Sequence, residues 1–171
     1  MMFALLADVL TLLRVGIAVV VVLVGWWYGD KAFPYVVGLV ALGWISDGLD
    51  GPLARRSERA TRLGRFDFLV DVMLTWATFA YLTLAGYIPW LLALVYTAIT
   101  LVVVAYFQRK SVVIVFMRPI DLTSGLIALR HAPEITLIFV AWLVGLGVVR
   151  WQRLKARVRA WLKDLWALVK R

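Results

Sequence analysis

A short stretch dense in charge lies between two long apolar runs, and it restricts what the chain can fold into more than any other feature. Residues 46–71 read S-D-G-L-D-G-P-L-A-R-R-S-E-R-A-T-R-L-G-R-F-D-F-L-V-D, and Asp47, Asp50, Asp67 and Asp71 are four of only ten acidic residues in 171. An ionisable group at the centre of a membrane helix costs roughly 2.5–3.5 kcal/mol on insertion scales, so four together require a compensating cation. Asp47 and Asp50 are three apart, and Asp67 and Asp71 four apart, so on helices each pair occupies one face. Gly43, Gly51 and Ala54 share the first face, and Gly64, Thr75 and Thr78 the second. Short side chains beside carboxylates let a backbone or a flat ligand approach closely. A polar connection over about 56–63 is expected to fold the two helices into an antiparallel hairpin and bring the pairs together. Four carboxylates with no His or Cys nearby suit a hard ion, Mg²⁺ or Mn²⁺, better than zinc.

The surroundings are those of a membrane protein. The chain is 64% hydrophobic with a mean hydropathy of +0.90, above the range of soluble domains, and its length suits one domain. Six spans are predicted, at 14–29, 35–55, 65–86, 88–107, 111–129 and 134–150, which makes the fold class an all-α integral membrane protein. Gly29, Pro34, Pro89 and Pro133 supply the punctuation between them. Trp26, Trp27 and Trp90 fall at one predicted interface. Residues 3–13 read as a helix lying in the interface and leading into the first span, with Arg14 snorkelling to the headgroups. A signal peptide is not expected, because positive charge does not precede the apolar run. With no cysteine, there is no disulfide framework and no thiolate metal site.

Basic residues decide orientation. Arg55, Arg56, Arg59, Arg62 and Arg65 surround the acidic stretch, Arg109 and Lys110 fill the next loop on that side, and eight more follow from Arg150 onward. Only Lys31 and Arg130 fall on the other side. Both termini and the acidic site are therefore expected to face the cytoplasm. The chain divides into a membrane domain, 1–150, and a basic amphipathic surface helix, 151–171. Trp151, Leu154, Val158, Trp161, Leu162, Leu165 and Val169 form an apolar stripe on that helix, suited to an anionic leaflet. A nucleic-acid partner is not expected, since a Trp-rich stripe needs burial.

The acidic stretch closely resembles the signature of the CDP-alcohol phosphotransferases, D-x2-D-G-x2-A-R-x8-G-x3-D-x3-D. Asp47, Asp50, Gly51, Ala54, Arg55, Gly64, Asp67 and Asp71 supply it in order. One interval departs: two residues, Arg65 and Phe66, separate Gly64 from Asp67 where the pattern has three. The turn leading into the second helix is therefore expected to differ. Thr11-Leu12-Leu13-Arg14 is similar to the T-L-x-R that precedes the first span in this family, without the customary Pro-Asn ahead of it. The resemblance implies displacement of CMP from a CDP-linked lipid or alcohol by an acceptor alcohol, dependent on two Mg²⁺ or Mn²⁺ ions, in a protein that is usually a homodimer. It makes Asp47, Asp50, Asp67 and Asp71 metal ligands, with Asp71 also the catalytic base. Gly51, Ala54, Arg55 and Gly64 would face the CDP moiety.

The acceptor pocket is written less explicitly. Arg118 lies about 12 Å inside from Lys110 at helical rise, a depth comparable to that of Asp47. Two readings are open for it: contact with an anionic acceptor or a phosphate, or an ion pair with Asp121 beside Pro119. The G-K-x-x-T element common in members that use glycerol phosphate is missing here, so the acceptor alcohol stays open. His131, at the far interface, reads as structural. Two other classes also place carboxylates in membranes, Mg²⁺-dependent prenyltransferases and divalent-cation transporters. The first is longer with different aspartate spacing, and the second needs an acidic relay across the opposite half.

Overall fold

A computed structural model describes residues 2–56 and 66–169, and every regular element among them is helical. In order these are α1 (Met2–Tyr28), a 3-10 turn (Gly29–Ala32), α2 (Phe33–Arg56), α3 (Asp67–Leu84), α4 (Trp90–Phe107), α5 (Lys110–His131), α6 (Pro133–Val149) and α7 (Trp151–Val169). The breaks fall where the backbone demands them. Gly29 adopts φ +55°, a left-handed conformation that a residue with a Cβ rarely takes. Pro89 precedes α4 in an extended conformation, and Pro133 opens α6, where its missing N–H leaves no bond unmade. Pro119 lies inside α5 and cannot donate to the preceding turn, where the Tyr96 hydroxyl donates to the Phe116 carbonyl at 2.6 Å.

Among the described residues, four helical stretches are long and apolar enough to cross a membrane: Asp8–Gly48, Asp67–Leu84, Trp90–Phe107 and Lys110–His131. A fifth arises if α6 and Leu154–Asp164, bent by 85° from each other, count as one. The first stretch is doubled back on itself. Arg14 and Asp47 would stand about 50 Å apart on one straight helix, yet the Arg14 guanidinium reaches the Asp47 carboxylate at 3.0 Å. So α1 and α2 are antiparallel limbs of a hairpin closed at the 3-10 turn. The surface agrees with a lipid environment. Only Ala93 and Thr100 of α4 are buried, while Leu91, Leu94, Leu101 and Val102 lie on its bare flank. A helix apolar on all sides and uncovered by protein has only lipid to face.

α1 packs along both α2 and α3, α5 lies against α3 and α6, and α4 sits outermost on α5 and α3. Close approach depends on missing side chains. A Cβ at Gly25 would stand 2.8 Å from the Tyr81 ring, and one at Gly43 would stand 2.7 Å from Leu74. Ile17, Val21, Phe33, Leu74, Tyr81, Leu82 and Ile120 form the core between these helices. Trp26, Trp27 and Trp90 remain exposed, and the His131 ring packs against Phe33 and Tyr87 with centroids 5.6 and 5.0 Å away.

Two expectations need correction. Residues 3–13 do not form an element of their own, because α1 runs unbroken from Met2. Nor does Arg14 snorkel. Its side chain is fully buried and points into the bundle.

Candidate active site

Three helices converge at one end of the bundle. Asp47 lies on α2 two turns before its end, while Asp67 and Asp71 occupy the first two turns of α3. One carboxylate oxygen from each of these three residues lies within 4.8 Å of the others. Arg14 reaches them from α1. Its Nη1 donates to Asp47 and Asp71, and its Nη2 donates to Asp67. The arginine side chain is 0% exposed, whereas the aspartates keep 46%, 38% and 37% of theirs open to solvent. The cluster therefore has a buried cationic floor and an accessible acidic rim.

The arrangement explains why an arginine is tolerated inside α1. No acid lies three or four residues away along its own helix, where Leu10, Thr11, Ile17 and Ala18 stand. A buried guanidinium without a partner is strongly destabilising, so its charge must be met from other helices. Among the described side chains, the three carboxylates outnumber the one guanidinium by two charges, an excess that a divalent cation would offset. The donor set is hard oxygen only, and it fits Mg²⁺ or Mn²⁺. The guanidinium already marks the locus as one that attracts positive charge.

A cavity of about 590 Å³ opens beside the cluster, lined by Asp47, Asp71, Thr75, Arg118, Asp121 and Trp161 among others. Arg118 and Asp47 thus share one cavity, as their depths suggest. The ion pair expected of Arg118 is formed, its Nη1 donating to Asp121 at 3.0 Å. Asp121 also accepts from the Thr75 hydroxyl at 3.4 Å. Beyond this polar bridge lies a second, mostly apolar cavity of about 280 Å³, walled by Phe33, Val36, Val40, Phe139 and Leu143.

The remaining signature residues are placed less fully. Asp50, Gly51, Ala54 and Arg55 lie on the last turns of α2, with side chains outside the described residues. Gly64 and the one-residue-short interval fall in the connection, also outside them. Missed altogether in the sequence are Arg14 as the hub of the cluster and the contribution of α7. The available signal for Arg14 was an arginine in an apolar run with no acid one turn away. For α7 the stripe has a second contact: Leu154, Val158 and Trp161 line the cavity, Leu154 and Val158 still 43% and 45% exposed, while Trp151, Leu162 and Trp166 are exposed outside it.

Fold and site together define an all-helical integral membrane protein with an acidic centre open at one end of its bundle. The chain belongs to the CDP-alcohol phosphatidyltransferase family, whose model matches residues 4–149. Membership makes it a transferase of phospholipid synthesis, in a family that joins a CDP-alcohol donor to an alcohol acceptor and depends in general on divalent metal. No curated protein and no solved structure matches the chain.

Proposed function

We propose that the protein transfers the phosphoalcohol part of a CDP-linked lipid to the hydroxyl of a small alcohol, releasing CMP. The observation that carries this reading is the convergence of Asp47, Asp67 and Asp71, two of which, Asp47 and Asp71, line a cavity that also holds Arg118. Asp47, Asp50, Asp67 and Asp71 would hold two Mg²⁺ or Mn²⁺ ions, which would supply positive charge against the charge that develops on the pyrophosphate during in-line displacement. Asp71 takes the proton from the acceptor hydroxyl. That oxygen attacks the lipid-linked phosphorus, and CMP departs with the former bridging oxygen. Gly51, Ala54 and Gly64 leave room for the CDP moiety, and Arg55 meets its phosphates. Arg14 holds the carboxylates together before metal arrives.

In this reading α1 to α6 make six crossings, with the hairpin of α1 and α2 supplying two and α6 the last. The basic connection after α2, Arg109 with Lys110, and the tail place the site and both termini on the cytoplasmic side. Residues 1–150 form the catalytic membrane domain. In 151–171 the outer face, with Trp151 and Trp166, rests on an anionic leaflet. The homodimer usual in the family is the expected assembly.

Arg118 belongs to the acceptor. Its guanidinium keeps one arm on Asp121 and turns the rest of its fork to the cavity, a geometry suited to a phosphate or carboxylate. Arg118→Ala is expected to raise the acceptor KM by roughly tenfold or more, on the order of 1.5–3 kcal/mol, with a smaller change in donor KM. Should the pair with Asp121 be its whole role, donor and acceptor KM would move equally and Asp121→Asn would reproduce the loss of melting temperature.

The general test is release of CMP from CDP-diacylglycerol or its archaeal-type counterpart by the purified protein, with candidate alcohols and Mg²⁺, and its disappearance in EDTA. No CMP release, together with Mg²⁺ flux into protein-containing liposomes, would replace the transferase by a transporter.

A further inference from the structure

α7 lies outside the family match, which ends at residue 149, yet it supplies a wall of the site. Leu154, Val158 and Trp161, spaced four and three residues apart on one helical face, line the same cavity as Asp47, Asp71 and Arg118. Three bonds hold the helix there. Arg150 Nη2 donates to the carbonyl of Gly48, the residue after Asp47, at 3.1 Å. Trp161 Nε1 donates to the Ser111 carbonyl on α5 at 3.3 Å, and Arg109 Nη1 pairs with Asp164 at 3.0 Å.

Asp164 is informative because it is the one acidic residue from 151 to 171, among seven basic ones. A helix made only to rest on an anionic leaflet gains nothing from a carboxylate. Here the carboxylate meets Arg109, the residue before α5, two positions from the carbonyl that Trp161 holds. The 85° bend after α6 carries α7 across the end of the bundle. Basic amphipathic character and docking over the cavity thus reside on different faces of one helix.

We propose that Trp161 is a specificity-determining residue of the transfer reaction, closing the acceptor end of the cavity against water so that an alcohol rather than water attacks. This rests on the transferase reading above. The chemistry at stake is the choice of nucleophile. If water attacks the lipid-linked phosphorus, the bond to the bridging oxygen breaks, CMP leaves, one proton is released, and the donor lipid ends as a phosphate monoester. A site that transfers to an alcohol must keep bulk water from this competition.

Trp161→Ala is expected to raise the fraction of CMP formed with phosphate monoester, rather than phosphodiester, by roughly tenfold. It should raise acceptor KM more than donor KM, and Trp161→Phe should restore most of the partition. Asp164→Asn, which removes a tether and leaves the wall atoms in place, should shift the partition in the same direction by less. A readout independent of turnover uses the absence of native cysteine. Ile114→Cys, on the cavity wall, should react several-fold faster with a charged thiosulfonate once Trp161 is also alanine. An unchanged labelling rate overturns the wall whatever the enzyme does. An unchanged product partition in a variant that still turns over overturns the role in nucleophile choice. Wild-type protein that releases no CMP with any donor would instead defeat the transferase reading and this role with it, while the labelling rates would still report on the wall.

Discussion

Asp71→Asn is expected to lower turnover by about 10²–10⁴-fold while metal and CDP-lipid binding survive in part. The amide is close in size to the carboxylate and still accepts from Arg14, so the cluster should keep its shape. What it loses is the ability to take the acceptor proton, a loss felt in the transition state more than in the ground state. Asp71 lies on the cavity wall one helix turn after Asp67, with more than a third of its side chain accessible. Initial rates of CMP release together with donor binding by calorimetry would separate the two effects. Near-normal release by the variant would remove Asp71 from the base role.

Arg14→Met carries the second large effect, on stability rather than rate. Breaking a buried ion pair by removing one partner typically costs about 3–5 kcal/mol, because the remaining charges are left uncompensated. Here the remaining charges are aspartates that are 37–46% exposed, so water recovers part of the loss and the lower end is expected. The sign of the metal effect is the more telling quantity. Three carboxylates without their guanidinium repel one another, and a divalent cation supplies the missing charge. The melting temperature of Arg14→Met should fall most in EDTA and recover partly in Mg²⁺, measured in detergent against wild type. Arg14→Lys should recover less than its charge alone suggests, because one ammonium lacks the planar fork that meets three carboxylates at once. An equal loss with and without Mg²⁺ would reduce Arg14 to a packing residue.

How far the sequence could be read depends on whether a feature is local. Helix ends are local: Pro89, Pro133 and the turn at Gly29 mark boundaries to within a residue or two of α4, α6 and α1. The aspartate pairs are local too, because a spacing of three or four on a helix determines a face before any tertiary contact exists. Arg14 is not. Its partners lie 33, 53 and 57 residues away, and only the packing of α1 against α2 and α3 brings them together. Read alone, an arginine near the start of an apolar run is indistinguishable from a snorkelling one. The same holds for α7, whose amphipathic stripe is visible but whose contact with the cavity depends on where α5 begins. Arg118 shows a third case, in which the pair with Asp121 is formed and the side chain still lines the cavity, since one guanidinium has donors enough for both.

In the proposed reaction an alcohol oxygen displaces CMP at the lipid-linked phosphorus in the cavity beside Asp47, Asp67 and Asp71. Its most direct test is oxygen tracing. Purified protein with Mg²⁺ is given a CDP-linked lipid and an acceptor alcohol labelled with ¹⁸O at its hydroxyl, and the products are weighed by mass spectrometry. Transfer to the alcohol oxygen yields phosphodiester that retains the label and CMP that carries none, in equal amounts, with both products absent in EDTA. Label in the CMP, or CMP formed without any phosphodiester by the wild-type protein, would contradict it.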